Sequence, residues 1–485
     1  MTLADLVLYQ CRLNPLAPAM CVPGAALPLI SYGRLASFIH NIARNAQALG
    51  IKRGDIVALQ VEDCILHAAF ILGLNRIGAI TLSTPSSVPD EIGPHVLISD
   101  VPRPFATAER FILAGMDWTE GTGEPFVPAD IQERGDKTAC IALTSGTTGY
   151  PRACAFTNEM LLRRTARFNW LYGRKAAECS RSFVDPSLST SVGFLFWLDT
   201  LSRGGMVMFR GDDAIETLQA LQLYSVQKMC AAPAALSEFV QLCSQAPELR
   251  PAFEAIISVG SHMPAPLSER VRTLLGSNLI ASCGSTETHA IAAAPANAIA
   301  HLSGAVGYVV PDTRVEIVDE SGNVLPAGRE GTIRVRSPFN VTSYVGDSVD
   351  TQRAFRDDAF YPGDIGRLDT DGLLVISGRE KSVLNLGGDK VSPERIEQAI
   401  LSLPGVKQAA AFSAPNSVGV EELWAAVVVD SFDEAALRIH CMRQLPTAHR
   451  PARYVAVDRL PLTPAGKIDR RKLSEITEKW ESESM

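Results

Sequence analysis

Apolar positions recur along the chain at two different periods, and their alternation predicts an α/β fold. From Leu35, residues Phe38, Ile39, Ile42, Ala46 and Leu49 form one face of a helix that Gly50 closes. Residues 55–61 (DIVALQV) read as a strand, 65–78 as a helix and 79–83 as a strand. That order is a βαβ unit, which requires a parallel sheet covered by helices. A second set of similar pieces follows Cys140. Residues 314–335 change to short strands and turns, the pattern of a small all-β subdomain. Near the carboxyl end, Ser392 and Pro393 open a helix whose buried stripe is Ile396, Ala399, Ile400 and Leu403. Strand-like runs at 409–412 and 423–429 and a helix near 433–445 complete a separate α+β unit.

At 485 residues the chain exceeds one hydrophobic core, so several domains are expected. The predicted division is residues 1–379 and 380–485. A net charge of −8 argues against a nucleic-acid partner but leaves room for a local phosphate cradle. No apolar run reaches membrane-spanning length, and the first residues lack a secretory pattern. Ten cysteines without a C-x-x-C pair suggest neither a disulfide framework nor zinc. The expected location is cytoplasmic.

Chemistry is concentrated in a few segments. A strand ending at Leu143 runs into Thr144, Ser145, Gly146, Thr147, Thr148 and Gly149, with a helix beginning near Asn158. Such a loop can turn backbone N–H groups and hydroxyls onto phosphate oxygens. Taken alone, it reads equally well as an ordinary Gly/Thr turn. Downstream stand Gly284-Ser-Thr-Glu287, Tyr361-Pro-Gly-Asp364, Gly378-Arg379-Glu-Lys381 and Pro464-Ala-Gly-Lys467. In this order and spacing, over about residues 31–473, the motifs resemble the adenylate-forming superfamily. That superfamily holds acyl-CoA synthetases, peptide-synthetase adenylation domains and luciferases.

The resemblance implies a large amino-terminal domain of two βα subdomains plus a small β-barrel-like subdomain, followed by a small mobile α+β domain. It implies activation of a small-molecule carboxylic acid by ATP as acyl-AMP, with release of pyrophosphate. The acyl group would then pass to coenzyme A or, alternatively, to the phosphopantetheine of an acyl carrier protein. Thr144 to Gly149 would hold phosphates, and Gly260, Ser261, Ser285 and Thr286 would contact the nucleotide. Glu287, with Thr144, would hold Mg2+, a hard cation suited to oxygen. The alternative for Glu287 is a solvated surface acid. Asp364 would accept both ribose hydroxyls or be a simple turn aspartate. Arg379 would contact the nucleotide or form a structural salt bridge. Lys467 would stabilise the charge that develops as a carboxylate attacks phosphorus. Lys381 would be the hinge, and Gly387 and Gly388 would line the thiol tunnel. Ser189, Val192 and Phe196 would line the acid pocket, although helix core accounts for most of the run 192–197.

Four departures from the family pattern bear on the substrate. Arg152 replaces a lysine, Cys283 an aromatic residue, and residues 185–197 lack a histidine common in relatives. The segment 85–100 is short. Asp185 lends some support to an amino-acid substrate, while a hydrophobic acyl or aryl acid is the main expectation. A third possibility, an inactive nucleotide-binding homologue, is opposed by Glu287, Asp364 and Lys467.

Overall fold

The predicted helices and strands form close to their expected limits. The computed structural model describes residues 1–84, 88, 90–102, 108–128, 137–144, 152–302, 304–346, 348–379, 384–386, 389–391, 393–415, 421–445, 449–462, 468–470, 472–473 and 475. Helix α1 (Tyr32–Ala48) is capped by Ser31, whose hydroxyl accepts the Arg34 N–H. Strand β1 (Ile56–Gln60), helix α2 (Cys64–Ile77) and strand β2 (Ile80–Ser83) form the βαβ unit. Asp63 caps α2, and Gly78 ends it in the left-handed conformation. Because α2 is apolar on nearly every side, it is buried all round, with α1 packed against it.

Strands β3 (Val96–Ser99), β4 (Arg110–Leu113), β5 (Thr138–Leu143) and β6 (Ala153–Thr157) complete the first sheet. Its order is β4-β3-β1-β2-β5-β6, parallel except for β6 at the edge. Strand β6 is absent from the sequence reading, which goes from the Gly/Thr loop directly to the helix. Three of its five residues are alanine or cysteine, so the strand signal is confined to Phe156 and Thr157. Helix α3 (Asn158–Ala166) follows, starting where expected.

The second sheet contains β7 (Arg181–Val184), β8 (Met206–Met208), β9 (Lys228–Ala231), β10 (Ala255–Ser258), β11 (Leu279–Ser285) and β12 (His289–Pro295). Helix α4 (Ser191–Ser202) links β7 to β8. The order is β12-β11-β10-β9-β7-β8, extended by Pro18–Cys21 and Leu29–Ser31. From β11 to β8 the strands are parallel, while β12 turns back antiparallel. The strand order reverses at β7, which has β8 on one side and β9 on the other. In such sheets ligands bind beyond the carboxyl ends of the strands near the reversal.

These two sheets belong to one compact unit, Met1–Ile299 with Val309–Arg314 and Arg336–Phe360. The second unit comprises Ala300–Tyr308, Val315–Val335 and Tyr361–Met485. Its first part is built on β13 (Ala305–Val309), β14 (Arg314–Val318), β15 (Gly331–Arg336), β16 (Asp364–Leu368) and β17 (Leu373–Arg379), in the order β14-β15-β16-β17-β13. This is the expected all-β subdomain. Its last part contains α5 (Pro393–Leu401), β18 (Val406–Pro415), β19 (Glu421–Val429), α6 (Glu434–Gln444) and β20 (Arg453–Ala456). Ile396 and Ile400 of α5 are fully buried against β18 and β19, as the stripe requires. Among the described residues, no helix is long and apolar enough to cross a membrane.

Candidate active site

The segments singled out by sequence in the first unit fall at the carboxyl ends of parallel strands. Thr144 follows β5, Asp185 follows β7, Gly260 and Ser261 follow β10, and Ser285 ends β11. Gly260 has φ +89, a conformation that glycine adopts without strain. Thr144 and Arg152, at the two ends of the strand pair β5 and β6, are joined: the Thr144 N–H donates to the Arg152 carbonyl at 2.7 Å. The Arg152 N–H in turn donates to the Thr144 hydroxyl at 3.3 Å. Ser145, Gly146, Thr147, Thr148 and Gly149 lie outside the described residues.

Glu287 sits in the turn between β11 and β12, and several interactions shape that turn. A bulge at Cys283/Gly284 brings the chain so close that a Cβ on Gly284 would lie 2.2 Å from the His289 carbonyl oxygen. Ser285 Oγ accepts the Thr288 N–H at 3.3 Å. Arg164 of α3, completely buried, donates to the carbonyls of Thr286 and Glu287 at 2.9 Å each and to that of Phe339 at 3.1 Å. Burial pulls its guanidinium pKa down to about 10, which still leaves it charged at neutral pH. Arg167 donates to the carbonyls of Ala290 and Pro311 at 3.0 and 2.6 Å and lies over the Phe339 ring. The two arginines therefore bind the turn to Pro311 and Phe339 of the same unit.

The Glu287 side chain is buried rather than solvated, which removes the surface-acid alternative. Its Oε1 accepts the Tyr344 hydroxyl at 2.7 Å. Arg152 Nη1 lies 3.4 Å from that hydroxyl, and Arg152 Nε pairs with Asp350 at 2.5 Å. The cation expected at Arg152 is thus committed to a tyrosine and an aspartate.

Arg164, Arg167, Tyr344 and Asp350 escaped the sequence reading. One signal was present for Arg164. It shares the inward face of α3 with Leu161 and Thr165, so a cation stands on a buried stripe. Nothing local marked its partners, more than a hundred residues away.

Near β7, Asp185 faces Arg210 at 3.4 Å, and Arg210 also contacts Glu238. Ser189 lines a small pocket with Thr81, Ser83, Ala142, Phe156 and Phe194. Val192 and Phe196, expected beside it, are not among the lining residues. Val192 packs on the main core, and Phe196 is fully buried against Phe168 and Tyr172, with ring centroids at 4.7 and 5.8 Å. The reason is helical period: Phe194 and Phe196 point about 200° apart around α4.

In the second unit Asp364 opens β16, is buried, and stands opposite Arg379 of β17 in the antiparallel register. Residues of two successive motifs are therefore cross-strand neighbours. Lys381, Gly387, Gly388 and Lys467 lie outside the described residues. The flanks of Lys467 are held: Leu462 bridges Ile468, and Arg470 donates to the Ala411 carbonyl at 2.9 Å and pairs with buried Glu397 at 2.6 Å.

A parallel sheet ending in a clamped carboxylate, with a small β unit and an α+β carboxyl-terminal part, defines the class: this is the α/β fold of adenylate-forming enzymes. ATP-bound MatB from Rhodopseudomonas palustris shares it with a TM-score of 0.82 over 99% of each chain, at 24% identity. The chain belongs to the AMP-binding enzyme family, whose model matches residues 10–345, with the AMP-binding enzyme C-terminal domain at 395–467. It is 28% identical to a salicyl-AMP ligase / salicyl-S-ArCP synthetase of Mycobacterium tuberculosis, over 92% of this chain and 85% of that one. It is 26% identical to a 2-hydroxy-7-methoxy-5-methyl-1-naphthoate–CoA ligase of Streptomyces carzinostaticus, over 92% and 88%.

Proposed function

We propose that the protein activates an aromatic carboxylic acid with ATP and transfers the acyl group to a thiol, coenzyme A before a carrier protein's phosphopantetheine. The observation that carries this reading is Glu287. Its Oε1 is occupied by Tyr344, and no hydrogen bond to Oε2 occurs among the described residues. One hard oxygen remains available at the carboxyl end of a parallel sheet, which fits Mg2+ shared with phosphates. Bound there, the cation would neutralise charge on the leaving pyrophosphate.

The acid carboxylate attacks the α-phosphorus, the α–β phosphoanhydride bond breaks, and acyl-AMP and pyrophosphate form. A thiolate then attacks the acyl carbonyl and AMP leaves. Thr144 with the loop to Gly149, and Gly260, Ser261, Ser285 and Thr286, contact the nucleotide. Asp364 and Arg379 bind its ribose side, Lys467 serves the first step, and Gly387 and Gly388 serve the second. The domain boundary at 379/380, with Lys381 as hinge, belongs to the same reading. The relatives' names support an aromatic acid and divide between coenzyme A and carrier acceptors. The pairing of Asp185 with Arg210 disfavours an amino-acid substrate, since the carboxylate that would meet an ammonium already faces a cation.

The test is pyrophosphate release over a panel of aromatic acids, with and without coenzyme A, for wild type and Glu287→Gln. Release should depend on the acid, and the substitution should move the metal-dependence curve to higher Mg2+. Absence of acid-dependent release, or an unmoved curve, refutes the reading.

Ser189 supplies a second expectation. Ser189→Trp fills the small pocket, so kcat/KM for the bulkiest accepted acids should fall roughly tenfold or more relative to benzoate-sized ones. Unchanged selectivity would place the acid elsewhere.

A further inference from the structure

We propose that Tyr344, backed by Arg152, is a positioning residue that decides which oxygen of Glu287 is offered to a divalent cation; this rests on Glu287 being the metal ligand. A guanidinium can only donate hydrogen bonds. With Arg152 Nη1 directed at the Tyr344 oxygen, that oxygen acts as acceptor and its single proton is left for Glu287 Oε1. The direction of the chain Arg152 to Tyr344 to Glu287 is thereby set by donor inventory rather than by chance rotation.

Each member is also held in place. The Arg152 guanidinium lies 5.1 Å from the Tyr344 ring centroid, and Phe355 packs edge-on against the same ring at 5.1 Å. The Tyr344 N–H donates to Thr351 Oγ1 at 3.0 Å, and the next N–H, of Val345, donates to the Ala153 carbonyl at 2.8 Å. Asp350 tethers the Arg152 guanidinium from outside. Tyr344 is 5% exposed, so water does not compete for its hydroxyl. With Oε1 engaged by the tyrosine, Oε2 is the freer oxygen for a cation and is already oriented. Partners that orient a metal ligand in this way typically contribute about 10–100-fold in metal affinity.

The experiment uses the full chain with α,β-methylene-ATP, whose α–β bridge does not break, and measures Mn2+ binding by electron paramagnetic resonance. Tyr344→Phe keeps the ring and removes only the hydroxyl. Its Mn2+ dissociation constant should rise about 10–100-fold, while the KM for the acid stays at the wild-type value. Unchanged Mn2+ binding overturns the proposal. Glu287→Gln separates the two levels. If it weakens Mn2+ binding and Tyr344→Phe does not, only the positioning role falls; if neither weakens it, the metal reading falls too. Should Tyr344→Phe not fold, Arg152→Met carries the test, because it frees the hydroxyl to turn away from Glu287. A raised Mn2+ dissociation constant then supports the proposal, and an unchanged one overturns it.

Discussion

Lys467→Ala is expected to slow adenylate formation by roughly 10²–10³, or about 3–4 kcal/mol, the usual loss when one preorganised electrostatic group is removed. The reaction brings a carboxylate against the α-phosphate, so negative charge concentrates as the bond forms. A compact ammonium placed over both anions stabilises that arrangement more than it stabilises the separated reactants. On either side of Lys467, Leu462 bridges Ile468, and the Asp469 N–H donates to the Pro461 carbonyl at 2.8 Å. Arg470 then secures the following residues to buried Glu397. Thioester formation from pre-made acyl-AMP has no such encounter of anions and should be spared. Pyrophosphate exchange measures the first step, and single-turnover transfer to coenzyme A measures the second. Equal losses in both would remove Lys467 from the adenylation step.

The second large effect is on stability. Arg164→Met leaves the carbonyls of Thr286 and Phe339 without that donor, while the Glu287 carbonyl keeps the Val341 N–H at 2.9 Å. At about 1 kcal/mol or more for each unsatisfied group, the loss is about 2 kcal/mol or more. Relief of the guanidinium's own desolvation offsets part of the upper range, so the low end is the working value. In a domain of a few hundred residues, this lowers the melting temperature by roughly 4 °C or more. Scanning calorimetry of the full chain measures it. A melting temperature equal to that of the wild type would show that the clamp is dispensable.

Much of the architecture was legible in the chain itself. The period of 3.6 from Leu35 and the strand 55–61 lead to α1 and β1 because each buries one face against a neighbour whatever lies far away. The apolar stripe Ile396, Ala399, Ile400 and Leu403 found its place for the same reason. The motifs around Thr144, Glu287, Asp364 and Lys467 could be named because chemistry needs those residue types in short, ordered groups.

Tertiary structure decided what those groups touch. Tyr344 is 57 residues from Glu287 and 192 from Arg152, so no local period relates them. Arg164 meets Glu287 across 123 residues, and only burial shows that its charge serves three carbonyls rather than water. Phe196 reads as a pocket residue on a helix until the packing of Phe168 and Tyr172 against it makes it core. Local sequence sets periodicity and the identity of reactive groups through short-range sterics and burial. The partner that orients a carboxylate, or occupies a cation, depends on which distant backbone and side chain the packed sheets bring within hydrogen-bond range, and only the folded chain contains that information.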